Sequence, residues 1–439
     1  MERIDDDRQV RMYAAYSFLL TVVLLAWLPS LLLRIARSRR YRDGWWERLG
    51  HYPEALRSRL HGGQPVWIHA VSVGEVGAAS ILVNRWIGRR PTSPFIVSTV
   101  TATGREVAGR MLPQAEAVVY FPIDLPNVVQ RALTNVRPRL VLLTETEIWP
   151  NFLRACTMSR IPVAVINGRL SERSLSRYRL VRPLIRRVLQ GIDLFCMQTD
   201  ADAMRILALG ASPARVHVVG NLKFDAALHG DAATLAERWR RELQIDTQQP
   251  VLVAGSTHAG EEETLLRAFR QLQGEFADLL LILAPRHPER VAQVESAVAG
   301  HGLRAVRRST LPHGANGAKE VILVDTVGEL STLYAVGSVG FVGGSLIPRG
   351  GHNLLEPALY GRPVLFGPHM ENFREISSYF LEQRAAVQVS GPEDLVTQLA
   401  GLLRDPAARE QMGQAAAAVL SAHQGACERT VALLERLAT

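Results

Sequence analysis

The chain has 439 residues, more than one ordinary hydrophobic core organises, so two or three domains are expected. With 47% hydrophobic and 21% charged residues the composition excludes a disordered chain; the excess of Lys and Arg over Asp and Glu (50 − 42 = +8) favours an anionic partner, whether nucleic acid, membrane surface or phosphorylated substrate. Cys156, Cys196 and Cys427 are scattered without a CxxC pair, which argues against a disulfide scaffold or a zinc site and fits a reducing compartment.

The first element is an apolar helix. No charge occurs from Met12 to Leu33, and these 22 residues are long enough to cross the ~30 Å hydrocarbon core. No small-residue cleavage site follows, as a signal peptide would require. Arg34, Arg37, Arg39, Arg40 and Arg42 come next, so the positive-inside rule places the rest of the chain in the cytoplasm. A span and an interfacial helix both fit the pattern, and either ties the protein to a membrane.

Short apolar runs then alternate with amphipathic stretches. Strands are predicted at 66–71, 94–100, 117–122, 140–145, 162–168, 194–198 and 216–220, and a second series at 250–256, 279–285, 320–325, 339–344 and 363–368. Nearly continuous apolar strands with helical crossovers indicate parallel sheets covered on both faces. The expected architecture is α/β: two doubly wound, Rossmann-like domains with a cleft between them, joined through a hinge in the polar span 221–249. Functional loops should gather beyond the carboxyl ends of the strands.

In the first series, Glu75 follows Gly74 at the start of a helix. It is either a first-turn acid favoured by the helix dipole or an exposed general base at the mouth of the cleft. Glu145 and Glu147 lie two apart after the fourth strand, and an extended backbone would turn both carboxylates to one side. Between 169 and 187 lie seven arginines (169, 173, 177, 179, 182, 186 and 187) and one acid, Glu172. Arg179, Arg182 and Arg186 have helical spacing for one shared face; Arg169 and Arg173 precede them. The cluster reads as a solvated surface or, in preference, as a wall for phosphate. Nucleic acid is disfavoured, since no RNA- or DNA-binding motif accompanies the arginines. The Asp200/Asp202 pair fits a helix cap and first-turn acid better than a metal site, so no metal is expected.

In the second series, Ser256 and Thr257 are expected to cap a helix whose positive end holds Glu261 to Glu263. Arg286 and His287 stand beyond a strand in a rigid, Pro-bracketed loop. Thr326 and Glu329 match a capping box. Gly343 to Phe373 contains six glycines, two histidines and two asparagines. Gly350 and Gly351 would let the backbone approach an anion at a helix N-terminus, Asn353 or Glu356 would cap that helix, and Glu356 suits two ribose hydroxyls. This reads as a nucleotide site.

Eight blocks in order now resemble one family: SVGE (72–75), TETEIWPN (144–151), NGRLSERS (167–174), GNLKFD (220–225), GSTHAGEE (255–262), PRHPER (285–290), DTVGEL (325–330) and GGHNLLEPA (350–358). Together they resemble the 3-deoxy-D-manno-octulosonic acid (Kdo) transferases of lipopolysaccharide synthesis. Gly168 stands where that pattern more often shows Ala. The resemblance implies a GT-B glycosyltransferase on the cytoplasmic face of the inner membrane, moving Kdo from CMP-Kdo to the lipid A precursor without cofactor or metal. It implies Glu75 as base and a CMP site at Arg286, Asn353 and Glu356; the residue pattern itself adds Glu145, Glu147 and the arginines (169, 173, 179, 182 and 186) on the acceptor side. Around these three, Ser256, Thr257, His287, Gly328, Glu329, Gly350 and Gly351 are expected to complete the donor site, with Arg286, Asn353 and Glu356 at its centre. The implied domains are an anchor with its basic flank (1–43), an acceptor domain (44–221), a CMP-Kdo domain (222–415) and a helical tail (416–439). A sugar-nucleotide 2-epimerase of the same architecture and a tethered, non-enzymatic anion-binding scaffold are the competing readings.

Overall fold

The computed structural model describes residues 2–37, 44–60, 63–89, 93–225, 231–313 and 319–437. The chain divides into two compact units, Met1–Asp225 with His423–Thr439, and Ala226–Ala422.

The first unit is built on seven parallel strands: β1 (Val66–His69), β2 (Phe95–Thr99), β3 (Ala117–Tyr120), β4 (Leu140–Thr144), β5 (Val163–Gly168), β6 (Leu194–Met197) and β7 (Val216–Val218). Their order is β3-β2-β1-β4-β5-β6-β7. Alternate residues feed two cores: in β4, Val141 and Leu143 face one and Leu140 and Leu142 the other. Burial on both faces is why these strands read as unbroken apolar runs. The chain runs outward from β1 to β3 and returns to β4 on β1's other side. That places a switch point at the carboxyl ends of β1 and β4.

The N-terminal helix Glu2–Arg37 contains a stretch, Arg11–Pro29, long and apolar enough to cross a membrane. Phe18, Leu19, Val23 and Leu25 on it are exposed, but Tyr13, Tyr16 and Ser17 are docked on the unit. Tyr13 is buried under the Arg154 guanidinium, 4.7 Å from the ring centroid. The Tyr16 hydroxyl donates to Asp124 Oδ2 at 2.9 Å, and Ser17 bonds Asn151. Of the basic flank, residues 39, 40 and 42 lie outside the described residues.

The second unit has β8 (Val251–Thr257), β9 (Leu280–Pro285), β10 (Ala305–Arg307), β11 (Val321–Leu323), β12 (Val339–Val342), β13 (Val364–Phe366) and β14 (Ala386–Gln388), again parallel, in the order β10-β11-β9-β8-β12-β13-β14. Its switch point lies between β8 and β12. β10 and β14 were absent from the expected strands. Both are three-residue edge strands, too short to leave an apolar run.

The span 221–249, expected as a hinge, includes the helix Ala232–Glu242, whose Leu235 and Trp239 enter the second unit's core; residues 226–230 of it lie outside the described residues. The last helix, Ala426–Leu437, belongs to the first unit. Ala426, Cys427, Val431 and Leu434 join the core that holds Ile68 and Leu142. Asp225 accepts hydrogen bonds from the Gly425 and Cys427 amides, and Glu428 pairs with Arg85 and Arg89.

Candidate active site

In the first unit three carboxylates meet at the β1/β4 switch point. Glu75 is in the first turn of the helix Val73–Arg89, but it is not exposed: its relative accessibility is 7%. Its Oε2 accepts from the Val71 amide at 2.8 Å and its Oε1 from the Ser72 hydroxyl at 2.9 Å. Burial pushes its pKa up to about 7, with Glu145 and Glu147 adding to the shift and the Val71 and Ser72 bonds opposing it. Glu147 is also pushed up to about 7, by burial and then by Glu145. The two acids after β4 are not held by an extended backbone, since Glu145 takes the left-handed region (φ 60°). A carboxylate ionising near neutrality, with fixed hydrogen-bond partners, is suited to accept a proton.

Of the arginines, Arg169 is brought to this loop: its carbonyl accepts from the Thr146 hydroxyl. The others divide. Arg173, Arg177 and Arg179 lie on the helix Glu172–Leu180, and Arg182, Arg186 and Arg187 on the helix Arg182–Gln190. Arg179, Arg182 and Arg186 therefore do not share one helical face. Pro183 cannot donate the hydrogen bond that would continue the first helix, and the backbone breaks at Val181. Arg173, Arg177, Arg179, Arg182, Arg186 and Arg187 are all exposed. In the Asp200/Asp202 pair, the Thr199 hydroxyl caps its helix by accepting from the Asp202 amide, and Asp202 accepts from the Leu170 amide. Among the described residues no group of three or more His, Cys, Asp or Glu side chains is arranged to hold a metal ion.

Gly168 lies close to the β5–β6 contact. A Cβ there would come within 2.6 Å of Met197 Sδ, so Ala at this position requires Met197 to move.

In the second unit the loops after β8, β9 and β12 converge. His258 and His352 stack at 5.1 Å with their Nε2 atoms 2.9 Å apart, and His287 meets His258 edge-on at 5.7 Å. Burial, then Arg286, His258 and His287, lower His352 to about 4, so it is neutral at pH 7. Burial pushes Glu356 up to about 7, opposed by the Asn353 amide and by Arg286. Arg286, His287, His352, Asn353 and Glu356 thus form one cluster that carries the Arg286 guanidinium, suited to an anion beside a hydroxyl-bearing group.

Several expected details differ. Neither Ser256 nor Thr257 caps a helix: both belong to β8, the helix Glu261–Leu272 begins after Gly260, and the Thr257 hydroxyl is buried against Glu262 at 3.2 Å. Thr326 does not form a capping box, because its hydroxyl donates to the Glu329 carboxylate instead of accepting from backbone. Glu329 also pairs with Arg308 at 3.2 Å, and beside it Gly328 is left-handed (φ 91°). No contact ties these two residues to the histidine cluster among the described residues. Leu354 occupies the N-cap of the short helix Leu355–Ala358; Asn353 accepts from the Leu355 amide and donates to Glu356 at 3.3 Å. Gly350 and Gly351 are left-handed (φ 87° and 72°), and a Cβ on them would strike Asn372 and Met370. Their glycines are thus required by the turn's own packing.

Sequence reasoning missed His258, His352, Asp124 and Glu261. The last was read only as an acid at a helix's positive end, but it is fully buried.

A family profile described as 3-deoxy-D-manno-octulosonic-acid transferase (kdotransferase) matches residues 43–226. The 3-deoxy-D-manno-octulosonic acid transferase of Haemophilus influenzae is 34% identical over 427 residues, covering 96% of this chain and 98% of the relative. That of Bordetella pertussis is 34% identical over 428 residues, covering 94% and 98%. In fold, the chain is similar to the crystal structure of UDP-GlcNAc 2-epimerase from Neisseria meningitidis bound to UDP-GlcNAc. The TM-score is 0.53 at 14% identity, over 84% of this chain and 99% of that one. The architecture is α/β of the GT-B type.

Proposed function

Because the chain belongs to the 3-deoxy-D-manno-octulosonic acid (Kdo) transferase family and is a glycosyltransferase, we propose that it moves Kdo from CMP-Kdo to a hydroxyl of lipid IVA, the phosphorylated disaccharide lipid A precursor. The reaction takes place at the cytoplasmic face of the inner membrane, with inversion at the anomeric carbon. The observation that carries this reading is Glu75, a buried carboxylate fixed by Val71 and Ser72 and held near neutral pKa by burial and two acidic neighbours.

In the proposed step the acceptor oxygen bonds to the anomeric carbon of Kdo as its proton passes to Glu75. The bond from that carbon to the CMP phosphate oxygen breaks, and CMP leaves with the electron pair. Arg286 offsets the charge on the departing phosphate, while Asn353 and Glu356 hold the nucleotide. The exposed arginines after β5 receive the acceptor's phosphates, and the N-terminal helix keeps the enzyme where that lipid resides.

The test is to incubate detergent-solubilised protein with CMP-Kdo and lipid IVA and to read products by mass spectrometry, with Glu75→Gln alongside. Mass gains in whole Kdo units are expected, slowed roughly 10²–10⁴-fold in the variant. No gain with a verified donor rejects this donor and acceptor. An undiminished gain in the variant removes Glu75 as base.

A further inference from the structure

We propose that Glu261 is a positioning residue for donor binding: its carboxylate locks the loop after β8 to the loop after β12, and so sets where the donor-side residues stand. This rests on the reading of the second unit as the nucleotide-binding one.

Glu261 has 0% relative accessibility and accepts four backbone hydrogen bonds. Oε2 takes the His258 amide at 3.0 Å and the Gly344 amide at 2.7 Å. Oε1 takes the Ser345 and Leu346 amides, both at 2.9 Å. An acid that only complements a helix dipole stays beside its own helix. Three of the four donors here lie on the far side of the switch point, on the loop that follows β12.

That loop carries the arrangement onward. The Gly344 carbonyl accepts from the Gly351 amide at 2.9 Å, at the turn leading into His352 and Asn353. The Ser345 hydroxyl accepts from the Gly367 amide at 2.8 Å, and the Ser345 carbonyl from the His369 amide at 2.9 Å. On the β8 side, His258 is held by its amide while its ring meets His352. One carboxylate therefore stands behind the two stacked histidines, His258 and His352, and behind the turn that presents Asn353. Ionised, it offers enough lone pairs for four donors; an amide in its place presents an NH2 to two of them.

The test compares wild type, Glu261→Gln and the exposed neighbour Glu263→Gln by calorimetry with CMP and by steady-state kinetics. In E261Q the affinity for CMP falls at least ~10-fold, since charge-assisted hydrogen bonds are lost in pairs. Its KM for CMP-Kdo rises while its KM for the lipid acceptor stays put; E263Q behaves as wild type in all three. A merely structural role would reduce the active fraction and leave both KM values unchanged, which would overturn the proposal. So would folded E261Q that binds CMP as wild type does, with the nucleotide reading intact. Wild type that fails to bind CMP overturns that reading and the proposal with it. Should E261Q not fold, hydrogen exchange in the wild-type protein decides. CMP is expected to slow the amides of His258 and of Gly344 to Leu346 together; slowing at one loop alone, or at neither, overturns the proposal.

Discussion

Glu75 and Glu147 are both pushed up to about 7; the charge of Glu147 adds to the shift of Glu75, and Glu145 adds to both. As a base, Glu75 works only when ionised, and the turnover rate is expected to rise with pH through about 7. Replacing Glu147 by Gln removes a like charge and makes Glu75 more acidic. The acidic limb of the pH–rate profile should then move to lower pH, so that E147Q keeps a larger share of its pH 8 rate at pH 6 than wild type does. The same shift has a stability side. In the unfolded chain these carboxyls lose their protons near the ordinary value of 4.5; in the folded protein Glu75 keeps its proton until about 7. Over that window the folded state binds more protons, so stability falls as pH rises. Glu75→Gln should thus stabilise the protein by about 1–3 kcal/mol at pH 8 relative to its effect at pH 4, read by urea unfolding at both values.

Among elements, the meeting of β1 with β4 matters most, because it sets the loop carrying Glu75 beside the loop carrying Glu145 and Glu147. The apolar runs at 66–71 and 140–145 announce two strands, but nothing in either run says that they are neighbours. Pairing is decided by the crossover order and by which faces must be covered. The arginine helices went the other way: the i, i+3, i+7 spacing was plain, and Pro183 was the visible sign that it would not hold. Asp124 left no local trace, as its partners are Tyr16 and the amides of Asn151 and Phe152, all distant in sequence. It caps the helix Pro150–Met158 directly after the Glu147–Trp149 segment, and on the same carboxylate it takes the N-terminal helix. Asp124→Ala leaves those buried donors unsatisfied. It should destabilise the first unit by about 1–3 kcal/mol for each donor stranded, measurable as a lower urea midpoint. Tyr16→Phe, which removes only the Tyr16–Asp124 bond and leaves both amide donors satisfied, should cost less, about 1–2 kcal/mol.

At the scale of the whole molecule, composition and strand rhythm made the two α/β units legible, while the path of the chain between them was not. The N-terminal helix was visible because 22 uncharged residues are rare outside membranes; its docking through Tyr13, Tyr16 and Ser17 was not, since their partners Arg154, Asp124 and Asn151 are distant in sequence. Deleting residues 1–29 is expected to release the protein from membranes into the supernatant. It should also lower the thermal midpoint of the first unit, because Tyr13 leaves a buried site there.

The return of the chain bears on how the protein is made. The ribosome delivers Asp225 about two hundred residues before Gly425 and Cys427, whose amides it awaits. By then the whole second unit, Ala226–Ala422, has been synthesised. The first unit therefore keeps an unfinished core, missing Val431 and Leu434, until the helix Ala426–Leu437 is available, whereas unit two needs nothing beyond Ala422. A chain stalled or truncated at 422 should yield a protease-resistant fragment from its second half and lose its first half to digestion, an order of assembly opposite to the order of synthesis.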